Sequence, residues 1–198
     1  MIKVSIIGEN KLHFGSVPST NDYLKKHSYL PSGTLVTADY QTAGRGTKTN
    51  SWESARFQNI LMSTILKPDI LVSDIAKLVK VSSVAIYETL RSFGIESAIK
   101  WPNDIMVNDK KIAGILLESS VTKNEVDYVI LGIGLNVNQV YFRHLTDVAT
   151  SIKKELKEVQ KEHVHNKLIE NLNKFYLDFL KGSRSYLEIY NRVKYENK

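Results

Sequence analysis

The chain predicts an α+β domain, a mixed and largely antiparallel sheet with helices packed on one face. Two observations carry that expectation. The apolar patterns run strand, helix, strands, helix, a run of antiparallel strands, then helices. Strict β-α-β alternation, the mark of a doubly wound nucleotide fold, is missing. A length of 198 residues suits one well-cored domain. Residues 1–182 are expected to form it, with 183–198 as a C-terminal tail.

Taken in order, residues 2–7 alternate loosely and read as an edge strand. Ser19 and Thr20 precede Asn21–Lys26, a helix start with a hydroxyl cap and an early acid at Asp22. Thr34–Ala38 is short and β-branched, hence a strand. A polar loop over 41–58 leads into Ile60–Leu66, a buried strand. Over 73–93, Ile75, Leu78, Val79, Ala85, Ile86, Leu90 and Phe93 recur at helical spacing, and Gly94 stops the helix. Ser97–Trp101 and Ile105–Val107 read as strands, with Asn108-Asp109 as a hairpin turn. Ile112–Val121 and Val126–Ile133 form two long strands around Lys123-Asn124-Glu125. From Ser151 the pattern turns helical, and Val164, Leu168, Leu172, Phe175, Tyr176 and Phe179 make an apolar stripe closed by Gly182.

Composition excludes several classes. With no cysteine, there is no disulfide, thiolate metal site or cysteine nucleophile. The apolar start Met1–Gly8 is too short for a secretory signal. No run approaches the roughly 18 apolar residues of a membrane span, so a cytoplasmic location and no membrane partner are expected. The net charge of +6 suits anionic ligands. The basic residues are scattered among acids and form no helix-turn-helix reader, which argues against DNA binding.

Four segments carry candidate chemistry. In Gln41-Thr-Ala-Gly-Arg-Gly-Thr-Lys-Thr-Asn50, Gly44 and Gly46 permit unusual backbone around Arg45, whose planar fork suits phosphate or carboxylate. The segment reads either as a flap that orders over an anion or as a solvated surface turn. It lacks the spacing and terminal Lys-Ser/Thr of a Walker loop. Gly132-Ile-Gly-Leu-Asn-Val-Asn138 lacks the third glycine of a dinucleotide fingerprint, and no clear helix follows. It reads as a strand end, able to place amides near an adenine or ribose. In Lys100-Trp-Pro-Asn-Asp104, the proline keeps Trp101 extended, and an isolated tryptophan there is expected in the core. Asp104 is either a turn residue or a carboxylate that orients an amine or a magnesium ion. Lys111 either marks a solvated strand end or reaches into a cleft to neutralise a phosphate. His163 and His165 share no helix face, and no structural metal is expected.

Together these segments resemble the biotin protein ligases, the biotin–[acetyl-CoA-carboxylase] ligases. The matching stretches are Ser19-Thr-Asn21, Gln41–Gly46, Trp52-Glu53, Lys100–Asp104, Lys111–Leu116, Gly132–Asn138 and Ala149-Thr-Ser151. They span roughly residues 17–152, in family order and spacing, and as a set they are highly specific. The resemblance implies a class II synthetase-like, biotin–lipoate ligase catalytic fold. It also implies a two-step reaction: biotin and MgATP give biotinyl-5′-AMP and pyrophosphate, and biotin then passes to a lysine of a carboxylase's biotin carboxyl carrier domain. ATP and Mg2+ are co-substrates, and no prosthetic group is implied.

By the same resemblance, Ser19, Thr20, Asn21 and Gln41 hold the ureido ring. Gly44, Arg45, Gly46 and Thr47 close over the carboxylate and α-phosphate, and Trp52 covers the ligand. Lys111 meets the carboxyl and phosphate oxygens, and Gly114 admits the ring. Asn136, Lys100 and Asn103 fall on the nucleotide side. Arg45, Lys111 and Asp104 are the catalytic candidates, with Asp104 meeting the acceptor lysine. Family members often dimerise through the sheet, so a homodimer is one expected state. Competing expectations are a lipoate or octanoate ligase or transferase of the same fold, and a non-catalytic paralogue that binds biotin or its adenylate.

The sequence departs from the family in two ways. Thr47 stands where a second basic residue usually follows Gly-Arg-Gly, which is expected to weaken retention of the adenylate. The family's C-terminal β-barrel and the winged helix of its repressor-type members are not found in these 198 residues, so operator binding is not expected.

Overall fold

The computed structural model describes residues 6–145, 147–156 and 158–195. Seven strands form one sheet, β1 (Lys11–Phe14), β2 (Leu35–Ala38), β3 (Ile60–Leu66), β4 (Ala98–Lys100), β5 (Asp104–Val107), β6 (Lys110–Thr122) and β7 (Glu125–Leu135). Their spatial order is β1-β2-β3-β7-β6-β5-β4. Only the β1–β2 pair is parallel; the others are antiparallel. This is the α+β class and the largely antiparallel sheet that the sequence predicts. The strand expected over 2–7 falls mostly outside the described residues, and the first described strand starts at Lys11.

Two hairpins build the right half of the sheet. Asn108 and Asp109 both take positive φ, as do Lys123 and Asn124. Both central residues left-handed is the tight turn whose twist matches the flanking strands, and Asn and Asp adopt it most readily among non-glycine residues. The second turn joins β6 to β7, the longest pairing in the molecule. Beyond Ile115, β6 outruns β5, so its outer edge there has no strand partner among the described residues.

Long helices cover one face. They are α2 (Lys77–Ser92), α4 (Lys161–Leu180) and α5 (Ser185–Arg192). Strand β3 shows the division, because alternate residues face opposite ways. Ile60, Met62 and Leu66 join the main core with α2 and α4, while Ile65 joins a smaller cluster with Leu24, Val36 and Ile130. Leu24 lies on α1 (Thr20–Lys26), so this short helix packs on the opposite face, in addition to the helices expected on the first. Ser19 caps it by accepting from Asp22 N at 3.3 Å. A four-residue helix, α3 (Ile152–Glu155), precedes α4.

The segment expected as a tail is structured. Helix α5 buries Tyr186 and Tyr190 against the core, and Ile99 N donates to Val193 O at 2.8 Å while Tyr195 N donates to Ile99 O at 2.9 Å. Few residues here face inward: Tyr186 and Tyr190 are buried, and Leu187, Ile189 and Val193 pack partly against the core, so the polar residues between them hid the helix. Trp101 is corrected too: it is 78% exposed at the β4–β5 turn rather than in the core. Among the described residues, no helix is long and apolar enough to cross a membrane.

Tyr190 offers a test of the α5 packing. Its hydroxyl is buried with no partner, while Lys80 Nζ lies 5.2 Å over its ring. Y190F keeps the ring and removes an unsatisfied group, so its thermal midpoint is expected to equal or exceed that of the parent. Y186A, which empties a core site, is expected to cost about 3 kcal/mol by chemical denaturation.

Candidate active site

The face carrying α1 has a strip without side chains. Register puts Gly114 opposite Gly134 and Leu116 opposite Gly132, and places Ser63 beside Gly132 on the other flank. All point to the same side of the sheet. A Cβ at Gly132 would collide with Asn21 Oδ1, and one at Gly134 would collide with the Trp52 indole. A Cβ at Gly114 would press on both Trp52 and the Lys111 side chain at 3.0 Å. The glycines of Gly132-Ile-Gly134 thus supply floor space rather than a phosphate-binding turn. Period-two glycines in an apolar strand are the sequence signal for such a floor.

A polar chain lines one end. Asn21, 3% exposed, accepts from Ser63 Oγ at 2.6 Å. Ser63 has one proton, so the Thr20 hydroxyl, 2.6 Å away, donates to it. Gln41 Oε1 then takes the Thr20 N–H at 2.7 Å and lies 3.0 Å from the Thr20 hydroxyl. The amide of Asn21 points the other way, donating to Glu118 Oε2 at 3.0 Å. Ser19, Thr20, Asn21 and Gln41, predicted as one group, therefore stand together, and Ser63 joins them.

The loop folds back over this end. Gly46 N donates to Asn50 O at 2.7 Å, and Trp52 N donates to Gly44 O at 2.9 Å. Neither Gly44 nor Gly46 is left-handed; positive φ in the loop falls on Lys48 and Phe57. Glycine is needed instead for proximity, since a Cβ at Gly44 would sit 2.5 Å from Trp52 O and one at Gly46 would sit 3.3 Å from Asn50 O. Arg45 Nη2 donates to Glu118 Oε2, and its Nε lies 3.3 Å from Asp22 Oδ1. The bond to Glu118 outweighs partial burial and raises the Arg45 pKa further. Burial pushes the Glu118 carboxyl up, but Arg45, Asn21 and Lys25 together hold it below the usual glutamate value.

At the other end, Lys111 Nζ lies 2.7 Å from Asp104 Oδ1, close but off-axis for a hydrogen bond. It also lies 5.4 Å over the Trp52 ring. The β5–β6 pairing brings Asp104 opposite Gly114, which is why residues seven apart in sequence meet. Asn103 donates to Ile115 O at 2.8 Å and lines the same cavity. With Trp52 on the glycine floor, the cavity's free space is only about 40 Å³, room for a few waters. The indole fills much of the space over Gly114 and Gly134.

Across Trp52 and Lys111 lies a second cleft of about 390 Å³, lined also by Asn50, Glu53, Asn136, Phe142, Leu145 and Val148. Asn136 donates to Thr150 O at 3.0 Å, and its Oδ1 is buried without a partner. Phe142, Leu145 and Val148 make the wall of this cleft largely apolar. Of the predicted site residues, Ser19, Thr20, Asn21, Gln41, Arg45, Gly46, Thr47, Trp52, Asn103, Lys111 and Gly114 line the first cavity and Asn136 the second. Gly44 supports the loop from behind and Asp104 stands against Lys111. Lys100 lines neither; its ammonium lies 5.5 Å over the Tyr195 ring. Asp22, Ser63, Glu118, Gly132 and Gly134 were not singled out as site residues from the sequence. Among the described residues, no three His, Cys, Asp or Glu side chains converge as a metal site.

A sheet face stripped of side chains, a basic flap and a paired lysine thus surround one cavity. The chain belongs to the Biotin/lipoate A/B protein ligase family, whose model matches residues 14–136. It is 35% identical over 186 residues to the bifunctional ligase/repressor BirA of Bacillus subtilis, covering 90% of this chain and 57% of that protein. It is 39% identical over 157 residues to the protein of the same name in Bacillus spizizenii, covering 76% and 48%. The chain thus spans about half the length of these curated relatives. Its fold matches the biotin protein ligase from Aquifex aeolicus in complex with biotin and ATP with TM-score 0.79 and 28% identity, over 93% of this chain and 77% of that one. The biotin protein ligase from Leishmania major in complex with biotinyl-5-AMP matches with TM-score 0.74 and 25% identity, over 96% and 85%.

The floor is open to direct test. G132A forces Asn21 off its position and is expected to cost about 1–3 kcal/mol by denaturant titration. G15A, where a Cβ meets nothing within 4 Å, is expected to stay within about 0.5 kcal/mol.

Proposed function

We propose that this chain activates biotin with MgATP to biotinyl-5′-AMP and passes the biotin to a lysine of a carboxylase carrier domain. The observation that carries the proposal is the joined pair of cavities, one with a polar ring-binding end and one apolar, divided by Trp52 and Lys111. Relatives that share the fold are biotin protein ligases, one with biotin and ATP and one with biotinyl-5-AMP.

The ureido group of biotin offers one carbonyl and two N–H groups. Asn21, Ser63, Thr20 and Gln41 form a buried chain of both donors and acceptors that suits it. The bicyclic ring then lies on Gly132, Gly134 and Gly114, with the Trp52 indole displaced to cover it. The valeryl carboxylate reaches Lys111 and Arg45. Attack of this carboxylate on the α-phosphate builds negative charge on phosphorus oxygens, and fixed cations facing that charge lower the barrier. Lys111 and Arg45 are those cations. Magnesium arrives with ATP and is held mainly by its phosphates, as is usual for this ion. In the second step an acceptor amine attacks the acyl carbon and AMP leaves. Asp104, which pairs with Lys111, is the carboxylate we assign to take the amine's proton. The mixed anhydride is shielded from water by the loop. Thr47 lines the cavity without a positive charge, which favours escape of the adenylate.

The test combines three readouts: biotin-dependent pyrophosphate release from MgATP, free biotinyl-5′-AMP, and mass spectrometry of a carrier domain. Release with a single biotin adduct on the carrier is expected. K111M is expected to slow pyrophosphate release about 100-fold or more, and T47R to lower the free adenylate. Biotin binding without pyrophosphate release would overturn the proposal in favour of a non-catalytic binder, and lipoate outcompeting biotin would overturn it in favour of a lipoate enzyme.

A further inference from the structure

Glu118 lies outside the chemistry just described, yet it touches both halves of the ring-binding end. It stands on β6 two residues beyond Leu116, its side chain 22% exposed. A single oxygen, Oε2, accepts from Arg45 Nη2 and from Asn21 Nδ2, the latter at 3.0 Å. Its other oxygen lies 3.5 Å from Lys25 Nζ on α1. Asp22, also on α1, takes Arg45 Nε. The loop, helix α1 and strand β6 therefore meet at one carboxylate.

Each partner needs it. The Asn21 amide is flanked by Leu116 O at only 3.4 Å on the donor side; without Glu118 nothing strong fixes which end of the amide faces Ser63. Arg45 sits on a loop tied to the body mainly at Val17, Pro18 and Tyr40, where Val17 N donates to Tyr40 O, Thr42 N to Val17 O and Ala43 N to Pro18 O. Beyond Ala43, the bonds of Gly46 and Trp52 run within the loop itself. Trp52, packed on Gly114 and Gly134, anchors the far side of the loop; the ion pairs with Glu118 and Asp22 anchor the Arg45 side.

We propose that Glu118 is a positioning residue that fixes the Asn21 amide and the Arg45 loop as one unit, so that the ring-binding end and the anion-binding flap are set together. The ligand's identity in this statement rests on the biotin reading; the anchoring of the loop does not. The charge carries the effect. A glutamine at 118 fills the same volume but offers Arg45 a weaker, uncharged acceptor. The shared oxygen also explains why the two partners act together: a shift of the carboxylate toward Arg45 draws it from Asn21.

The experiment uses E118Q, with K25M as a control that removes only the outer lysine. Limited trypsin digestion of the ligand-free protein, followed by mass spectrometry, reads cleavage after Arg45 and Lys48. Calorimetry reads biotin binding, and a thermal melt reads global stability. Cleavage in E118Q is expected to rise about fivefold, with K25M little changed and both melting near the parent. Raising the salt from 0.1 M to 1 M, which shortens the screening length from about 10 Å to about 3 Å, is expected to speed cleavage in the parent more than in E118Q, where only the Asp22 pair with Arg45 remains. A role limited to packing would show no such salt difference. Biotin affinity is expected to fall about tenfold in E118Q. Unchanged cleavage, or the same salt response in both proteins, would overturn the proposal. Loss of biotin affinity with the loop still protected would overturn the coupling. Failure of the parent to bind biotin, with the loop released in E118Q, would sink the biotin reading and uphold the anchor.

Discussion

Room on the sheet is the constraint on which the site depends. Three glycines on adjacent strands leave one face bare, and both Asn21 and Trp52 occupy space that any Cβ would take. Glycine weakens a strand by roughly 0.5–1 kcal/mol against alanine. The chain places two of them on β7, which pairs with β3 and β6 on both sides, so the ladder holds the backbone where side chains do not. The opposite face of the same strand buries Val129, Leu131, Ile133 and Leu135 under the long helices. One strand thus anchors the core on one face and forms the floor on the other.

Charge is arranged in pairs around that floor. Arg45 sits with Glu118 and Asp22, and Lys111 sits with Asp104. Each cation belongs to a segment that faces the cavity, and each is held by carboxylates set on neighbouring elements. Such pairing keeps a partly buried cation oriented. An entering anion competes with the carboxylates rather than meeting a disordered side chain. Trp52 divides the ring end from the apolar cleft and rests on the glycines beneath Lys111. Its indole nitrogen is buried without a partner, a modest penalty that favours its movement when a ligand replaces it.

Much of this was legible in the sequence, for definite reasons. Strands β3, β6 and β7 are strongly apolar, and α2 and α4 repeat at helical spacing, so the α+β class followed. Ser19-Thr-Asn21 and Gln41 were grouped through the resemblance to the biotin protein ligases; read locally, Ser19 and Thr20 signal only a helix cap. What escaped notice depends on contacts between distant segments. Glu118 is one acid in a long strand until the fold brings Asn21 and Arg45 to it across about 100 and 70 positions. Ser63 looks like any hydroxyl in an apolar run. Trp101 was expected in the core because tryptophan is usually buried, but it sits at a turn with proline. Lys100 was grouped with its neighbours by motif, yet adjacent strand residues point to opposite faces, and it points away toward Tyr195. Helix α5 was missed because its inward tyrosines are scattered through a polar stretch.

The central claim is that a biotin ring replaces the Trp52 indole on the glycine floor. Its most direct test is the fluorescence of Trp52 in W101F, which leaves Trp52 as the one tryptophan of the two in the chain. Titration with biotin is predicted to give a saturable change in emission and quencher access, as the indole leaves the floor and covers the ligand. Biotin binding that leaves Trp52 emission unchanged would contradict the account, because the ring would then be seated elsewhere.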